Sequence, residues 1–396
     1  MATKTKYVGM TGNEAVANAL KQINPDVIAA YPITPQTDIV QYYSSFVADG
    51  LVDTEMVTVE SEHSAMSATV GASAAGCRAM TATSSQGLAL MYEILHIASG
   101  DRLPIVMPVV NRAISAPLNI HCDHSDTMGV LTSGWIQIYG ENAQEAYDNM
   151  IQAVRIAEDP RVLLPVMVCY DGFITSHAVD NLELLPDDVV KKFVGEYKPA
   201  KPLLNLDDPT TYGPLVLPDY FTELKFQQSQ ATERAADVIL EVAREFEKIS
   251  GRKYSFFEEY KMEDAERVIV VLSSTAGTTK AVVDQLRANG EKVGLLKPRV
   301  IRPFPAEELV KALCGAKAVA VMDRADSFSN QGGPVFTEVR AAFYSAQRRP
   351  LMRGYIFGLG GRDTTTREIK KVFADLSEDL EKGRVGQVVS HLDVRV

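Results

Sequence analysis

The stretch "DVIAAYPITPQTD", residues 26–38, joins an apolar run to a turn that contains two prolines. The run over 26–31 has the length and composition of a buried strand. Each proline fixes its own φ and restricts the residue before it to an extended conformation. Tyr31 and Thr34 are therefore held rigid and extended just beyond the strand. A turn of this stiffness indicates that the position of Thr34 matters.

The same strand pattern recurs through the first 180 residues and alternates with helical patterns. Further apolar runs lie at 55–59, 78–83, 103–110 and 163–170, and helix-like segments separate most of them, at 65–76, 86–99 and 143–157. Alternation of apolar strands with helices is typical of a parallel sheet covered on both faces. The sequence therefore predicts an α/β fold for this part of the chain.

A second α/β unit is predicted towards the C-terminus, with apolar runs at 267–272, 292–297, 318–323 and 354–360. The segment between the units is rich in proline and turn residues and ends in one helical pattern, which is typical of an arm that crosses a surface. We therefore predict two parallel-sheet domains, at 1–180 and 263–396, joined by an extended arm and helix at 181–262.

The composition, 46% hydrophobic and 23% charged over 396 residues, is that of an ordinary globular protein. The net charge of −11 argues against nucleic acid as the main partner and requires a local cationic site for any anionic substrate. No apolar run approaches the roughly 18 residues of a membrane span, and the N-terminus has no apolar signal core. We therefore expect a cytoplasmic protein.

Sequence-local metal or cluster ligands are not evident. The four cysteines are isolated from one another and form no CxxC motif, which argues against a zinc ribbon or an iron–sulfur cluster; they are Cys77, Cys122, Cys169 and Cys314. Isolated cysteines are typical of small buried hydrophobes, and Cys122 is the exception because it lies in a polar loop. The histidines His63, His121 and His124 lack a ligand spacing, so no metal site is predicted.

Polar side chains follow four of the predicted strands in the first unit, at the point where each strand ends. These clusters are Pro32-Ile33-Thr34-Pro35, Glu60-Ser61-Glu62-His63, Ser84-Ser85-Gln86-Gly87 and Asn111-Arg112. In an open parallel sheet, ligands bind beyond the carboxyl ends of the strands. The four clusters are therefore predicted to share one edge of the sheet.

Each of these residues also has a purely structural explanation. The guanidinium of Arg112 offers five donors that suit a carboxylate, but a single arginine is more often a surface salt-bridging residue. Glu62 offers an acid, yet acids near a helix start commonly interact with the helix dipole. Thr34, Ser84 and Ser85 offer hydroxyls that a turn could equally well use. The shared edge favours a functional site.

The ordered motifs resemble one known family along nearly the whole chain. YPITP at 31–35, SEH at 61–63, TSSQGL at 83–88 and NRAISAP at 111–117 occur in order, followed by LPVMVCYDGF, RPFP and GLGGRD. This set resembles the α subunit of 2-oxoacid:ferredoxin oxidoreductases, and the pyruvate:ferredoxin type (pyruvate synthase) in particular. The resemblance implies a thiamine pyrimidine-binding-type domain followed by a transketolase C-terminal-like domain.

The resemblance also implies an activity and roles for several residues. Family members decarboxylate 2-oxoacids on thiamine diphosphate, pass electrons through [4Fe-4S] clusters to ferredoxin and transfer the acyl group to coenzyme A. Thr34 and Arg112 match residues that hold the substrate carboxylate and carbonyl. Glu62 matches the glutamate that bonds N1′ of the aminopyrimidine, where a carboxyl group supports acid–base work through the ring.

We further expect Pro32, Ser84 and Ser85 to lie at the cofactor. Thiamine enzymes of this kind usually hold the diphosphate and Mg²⁺ through a GDG motif, and no GDG occurs in this sequence. Half of the cofactor site must then come from elsewhere. We predict a β subunit with the diphosphate and Mg²⁺ site and the proximal cluster, together with γ and δ subunits or fused forms.

The substrate is less tightly indicated than the reaction. Oxalate-using relatives resemble YPIRP, whereas Thr34 with the single Arg112 suits a monocarboxylate, so pyruvate is predicted. The segment "SAPLNIHCDHSD" (115–126) departs from the pyruvate-type "SAPINIWNDQQD", which leaves 2-oxoisovalerate, 2-oxoglutarate or oxalate open. Two other interpretations are a non-catalytic scaffold or small-molecule-binding subunit, and a self-sufficient thiamine decarboxylase, which the missing GDG disfavours.

Overall fold

The computed structural model describes residues 6–395, in which two large sheets are surrounded by helices. The strands are β1 (Lys6–Thr11), β2 (Val27–Ala30), β3 (Glu55–Thr58), β4 (Ala79–Met80), β5 (Val106–Asn111), β6 (Ile136–Gly140), β7 (Val166–Asp171), β8 (Val179–Leu184), β9 (Phe257–Tyr260), β10 (Arg267–Val271), β11 (Val293–Pro298), β12 (Val300–Arg302), β13 (Ala318–Asp323), β14 (Leu351–Ile356) and β15 (Val389–His391).

The helices lie mostly between successive strands. They are α1 (Gly12–Ile23), α2 (Thr37–Ala48), α3 (Glu62–Ala75), α4 (Ser85–Leu90), α5 (Tyr92–Gly100), α6 (Ser125–Met128), α7 (Ala143–Glu158), α8 (Asp187–Val194), α9 (Pro218–Ser250), α10 (Thr275–Ala288), α11 (Ala306–Leu313), α12 (Pro334–Ala342) and α13 (Thr366–Lys382), with a 3₁₀ turn at Leu359–Gly361. None of those helices combines the length and hydrophobicity needed to cross a bilayer.

The α/β class with parallel-dominated sheets is confirmed. The first sheet has the strand order β12-β6-β7-β5-β4-β2-β3 and is parallel except for β12. The second has the order β15-β14-β13-β10-β11-β9 and is parallel except for β9. The two remaining strands, β1 and β8, form an antiparallel ribbon.

The structure adds several features to the pattern read from the sequence. The helix expected over 86–99 is two helices, which meet at Met91. Strand β6 was missed because Gln137, although fully buried, interrupts its apolar run. After β11 the chain leaves the second sheet, and β12 adds an antiparallel edge strand beside β6 of the first sheet. The segment from β11 to β12 therefore contributes one strand to each sheet and links the two.

Helix α7 lies at the centre of the first core. Asn142 caps its N-terminus by accepting a hydrogen bond from the Glu145 amide, and twelve of its sixteen residues are buried. It packs against α1, α8 and α9 as well as against the sheet. In α9 the buried residues begin only at Ala231 and continue to Phe246, so the first turns of this 33-residue helix project into solvent.

Candidate active site

The strands that precede the polar clusters are neighbours in the first sheet. Strands β5, β4, β2 and β3 are adjacent and parallel, so their carboxyl ends lie along one edge. The structure brings two of the clusters into direct contact there, because Nη1 of Arg112 donates a hydrogen bond of 2.8 Å to the carbonyl of Thr34. These two residues are 78 positions apart in the chain.

Arg112 is held by backbone groups and not by acidic side chains. Its side chain donates to the carbonyls of Asn119 (Nε, 3.2 Å) and Thr34 (Nη1, 2.8 Å), and the residue is only 7% exposed. Within residues 6–395 it forms no ion pair. Burial lowers the pKa of Arg112, and the Asp126 carboxyl acts in the opposite direction. A buried guanidinium with neutral partners keeps its charge available for an anion.

Hydrogen bonds to buried side chains hold the loop that carries Thr34. Asn13 donates to the carbonyl of Pro35 at 2.8 Å, and Oε1 of the buried Gln36 accepts the amide of Ile33 at 3.2 Å. Thr34 itself is exposed, and so is Pro32. These hydrogen bonds hold the loop backbone in place, while Thr34 itself is exposed at the sheet edge.

Glu62 is the first residue of α3. Ser61 caps this helix by accepting a hydrogen bond of 3.2 Å from the amide of Ser64. Glu62 is 8% exposed, and its carboxylate makes no hydrogen bond to any other described residue. An acid held almost out of solvent without a partner in its own chain is suited to bind a polar group that arrives from outside.

The two serines of TSSQGL have different environments. Ser85 is fully buried, and its hydroxyl donates to the carbonyl of Ala113 at 2.6 Å, which ties α4 to the loop after β5. The hydroxyl of Ser84 is buried without a hydrogen-bond partner in residues 6–395, as are the hydroxyl of Thr83 and Oδ1 of Asn111. Buried polar atoms are nearly always hydrogen-bonded, so this concentration of unpaired atoms fits a bound polar ligand.

Asp126 connects the loops of the site. Its carboxylate accepts the amides of Ser85 (3.1 Å), Arg112 (3.0 Å) and Thr127 (2.7 Å), and the side chain of Asn111 at 2.8 Å. Burial raises the pKa of Asp126 to about 6, although these hydrogen bonds act in the opposite direction. Local spacing in the sequence does not reveal this role of Asp126, because its partners lie up to 41 residues away.

A second buried aspartate joins the two sheets beside the site. Asp171, at the end of β7, accepts hydrogen bonds from His124 at 2.8 Å, from Arg324 at 2.9 Å and from Ser274. Burial alone would raise the pKa of Asp171, but His124 and Arg324 outweigh it and hold that pKa well below its usual range. Arg324 and Ser274 belong to the second α/β unit, so this junction fixes that unit against the loop after β5.

Cys122 lies in the same junction. Arg324 Nη1 is 3.7 Å from its sulfur, the residue is 1% exposed, and burial raises the pKa of its thiol. Atoms of Cys122, His124 and Asp171 lie within 4.8 Å of one another, as ligands of a metal would. The Arg324 guanidinium binds two of these three residues, so the group is accounted for as an ion-paired contact between the sheets.

The glycine-rich turn GLGGRD packs on the loop that follows Arg112. The amide of Gly360 donates to Asp123 at 3.2 Å, and the side chain of Asn119 donates to the carbonyl of Gly360 at 2.9 Å. Gly360 has a φ of 60°, in the left-handed region that favours glycine, and a Cβ there would overlap Asn119. Because Asn119 also binds Arg112, the second unit supports the position of the guanidinium.

Comparison with known proteins agrees with this architecture. The family model "Pyruvate flavodoxin/ferredoxin oxidoreductase, thiamine diP-bdg" matches residues 18–244, and "Pyruvate:ferredoxin oxidoreductase core domain II" matches residues 265–369. The pyruvate synthase subunit PorA of Thermotoga maritima is 59% identical over 375 residues, which is 95% of each chain.

Two solved structures share the fold. A 2-oxoglutarate:ferredoxin oxidoreductase from Magnetococcus marinus superposes with a TM-score of 0.74 at 20% identity, over 93% of this chain and 65% of that one. A split-gene transketolase superposes with a TM-score of 0.53 at 12% identity, over 94% of this chain and 96% of that one.

The fold and the polar sheet edge place this protein in the class of transketolase-like α/β subunits with a thiamine diphosphate-binding-type domain. More specifically, the chain belongs to the pyruvate flavodoxin/ferredoxin oxidoreductase family. The resemblance seen in the ordered motifs is confirmed.

Proposed function

We propose that the chain is the catalytic α subunit of a CoA-acylating pyruvate:ferredoxin oxidoreductase. In this role it takes part in the thiamine diphosphate-dependent oxidative decarboxylation of pyruvate to acetyl-CoA and CO₂, with single electrons passing to ferredoxin. The observation that carries the proposal is the contact between Arg112 and the Thr34 carbonyl at the same sheet edge as Glu62, whose carboxylate is unpaired within residues 6–395. A scaffold subunit would have no need of this arrangement.

The residues at the edge fit the aminopyrimidine half of thiamine diphosphate. When bound, this cofactor supplies a carbon nucleophile that attacks the carbonyl of a 2-oxoacid. Glu62 would hold a proton between its carboxylate and N1′ of the ring. Ser84, whose buried hydroxyl lacks a partner among the described residues, would face the cofactor from the residue before α4, and Pro32 would do so from the loop after β2. Ser85 already binds Ala113 and would support the site from behind.

Arg112 and Thr34 would bind and orient the 2-oxoacid. The guanidinium retains donors on Nη2 that no described residue uses, and a carboxylate can accept them. Thr34 offers a hydroxyl on the rigid loop beside it. One arginine matches one carboxylate, so a 2-oxomonocarboxylate such as pyruvate fits this pair better than a dianion such as oxalate.

The remaining parts of the enzyme are proposed to lie on partner chains. We assign the diphosphate and Mg²⁺ site and the [4Fe-4S] clusters to β, γ and δ subunits or fused forms, with coenzyme A as co-substrate and ferredoxin as electron acceptor. In this scheme residues 1–180 are the thiamine pyrimidine-binding-type domain, 263–396 the transketolase C-terminal-like domain and 181–262 the arm.

The exposed surface of the arm supports a complex of several subunits. Leu206 and Leu215 are 89% and 92% exposed, and Tyr220, Phe221 and Leu224 form an exposed apolar stripe on the first turns of α9. Apolar surface of this kind marks protein–protein interaction sites. We infer that a partner subunit covers it.

The substrate role of Arg112 is tested by Arg112→Ala in the assembled complex. Removing one partner of a buried charge pair costs about 2–5 kcal/mol, so the KM for pyruvate should rise by at least roughly 30-fold. Arg102→Ala is the matched control, because Arg102 is a half-buried arginine that also binds backbone carbonyls, those of Leu163 and Val162. Its KM should equal that of the wild type. An unchanged KM in Arg112→Ala would refute the assignment.

A further inference from the structure

Gly87 occupies the third position of α4, where the backbone does not require a glycine. It is absent from the residues with positive φ, and its amide makes a hydrogen bond of 2.9 Å to the carbonyl of Ser84. Glycine inside a helix is about 1 kcal/mol less stable than alanine. The reason for a glycine at this position therefore lies in the atoms that surround it.

That space contains Glu62. A Cβ atom on Gly87 would lie 2.7 Å from Cγ and 2.9 Å from Oε1 of Glu62, and closer still to the hydroxyl oxygen of Thr83. Distances under 3.0 Å are essentially never seen for real Cβ atoms. The side chain of Glu62 thus packs directly on the backbone of α4, and any side chain at position 87 would displace it.

Thr83 borders the same point from the other side. Its amide donates a hydrogen bond to the carbonyl of Pro108 (3.2 Å), and its carbonyl accepts one from the amide of Val110 (3.1 Å). The backbone of Thr83 is therefore fixed to β5. Its hydroxyl is buried and unpaired within the part of the chain that the structure describes. The carboxylate of Glu62, also unpaired there, is an acceptor, and its Oε1 and the hydroxyl oxygen of Thr83 both lie within 3.0 Å of the same point, the Cβ position of Gly87.

We propose that Gly87 and Thr83 are positioning residues for Glu62. The missing side chain at position 87 admits the carboxylate to its place against α4, and the hydroxyl of Thr83 donates a hydrogen bond to it in the assembled site. This hydrogen bond would fix the direction in which the carboxylate of Glu62 points. The inference rests on the proposed function, in which Glu62 bonds N1′ of the cofactor ring.

The first test is Gly87→Ala in the complex assembled with its partner subunits. Two quantities are measured: the Kd for thiamine diphosphate and the rate of hydrogen–deuterium exchange at its C2 atom. Gly87→Ala should weaken binding and slow exchange by roughly ten-fold or more, towards the rate of Glu62→Gln, because both variants lose the same proton contact.

Gly277→Ala is the matched control. Gly277 is likewise the third residue of a helix, α10, but a Cβ there would meet its nearest neighbour, Oε1 of Glu141, at an ordinary 3.4 Å. This variant should bind the cofactor and exchange C2 as the wild type does. Slow exchange in both variants would attribute the effect to helix backbone changes and overturn the role of Gly87.

Thr83→Val is the second variant, and it decides the matter if Gly87→Ala does not fold. Valine keeps the shape of threonine and removes only the hydroxyl. Without this donor the carboxylate of Glu62 loses an orienting contact, so C2 exchange should slow by roughly ten-fold, and Thr83→Ser, which restores the hydroxyl, should restore the rate. A purely structural role would lower stability and leave the exchange rate of the folded complex unchanged, which would overturn the role of Thr83.

Failure of this inference and failure of the proposed function give different results. If the wild-type complex neither binds thiamine diphosphate nor exchanges its C2 proton, the proposed function is wrong. If Glu62→Gln slows exchange while Gly87→Ala and Thr83→Val behave as the wild type, the proposed function stands and the positioning inference is wrong.

Discussion

At the scale of single residues, Asp126 holds the loops of the site in place, although it contacts no substrate in the proposed scheme. Asp126 accepts hydrogen bonds from four residues and thereby fixes the backbone of Arg112 and of Ser85. The loop that carries the exposed residues Pro32 and Thr34 is likewise held by hydrogen bonds to the buried side chains of Asn13 and Gln36. Precision at the sheet edge therefore comes from buried polar residues one layer below it.

Replacing Asp126 with Asn should destabilise the chain in a pH-dependent way. The amide offers one acceptor oxygen where the carboxylate accepts hydrogen bonds from four residues, so donors left buried without a partner should cost about 1–3 kcal/mol each. The pKa of Asp126 is raised from 3.8 to about 6, so its titration favours folding at low pH, and this contribution is lost as the pH rises through 6. The penalty of Asp126→Asn should thus be larger at pH 4.5 than at pH 7.5.

Thermal unfolding of the purified chain at the two pH values checks this expectation. The control is Asp53→Asn, because Asp53 is an exposed acid whose carboxylate, among the described residues, binds only the side chain of Asn24. Its effect on the melting temperature should be small and equal at both pH values. An Asp126→Asn penalty that grows with pH would contradict the linkage.

At the scale of secondary-structure elements, the sequence predicted what depends on local pattern. The polar clusters after β2, β3, β4 and β5 could be read from apolar runs, because a parallel sheet brings its strand ends together regardless of the loops. The break between α4 and α5 could not be predicted in this way. Strand β6 could not be predicted either, because the buried Gln137 interrupts its apolar pattern. Nor could pairing of β12 with β6, which bridges more than 150 residues of chain.

The contacts between elements were equally invisible in the sequence. Asp171 ends β7, Ser274 precedes α10, Arg324 follows β13 and His124 precedes α6, and these four residues meet only after both sheets have formed. Their long separation in sequence leaves no periodic signal. The same contact positions the loop whose Asn119 carbonyl binds Arg112, so it links the second sheet to the site.

Asp171→Asn should loosen this junction more than it disturbs either sheet. Breaking a buried ion pair by removing one partner costs about 3–5 kcal/mol, because Arg324 is left without its charge partner. We expect faster amide hydrogen exchange in the loop at 113–124. Asp379→Asn, which breaks the pair of Asp379 with Arg353 inside the second unit, should leave exchange in this loop unchanged. Equal exchange in both variants would argue against a local role for Asp171.

At the scale of the whole molecule, the charge and the exposed surface point to a protein that works in a complex. The net charge of −11 repels anions in general, so an anionic substrate must be attracted by local cations such as Arg112. The arm and the first turns of α9 expose apolar side chains that an isolated protein would bury. The sequence itself lacks a GDG motif and paired cysteines. Each of these features is consistent with one half of a shared site.

The purified chain alone should therefore bind thiamine diphosphate weakly and carry no iron–sulfur absorbance. Glu62 and the hydroxyls around it can contact the pyrimidine ring, but most of the binding free energy for a diphosphate comes from charged groups and Mg²⁺, which we assign to a partner subunit. Titration calorimetry with thiamine diphosphate and Mg²⁺, with and without the co-purifying partner chains, measures the difference. Tight binding by the chain alone would mean that it holds a complete diphosphate site, and the shared-site proposal would then be wrong.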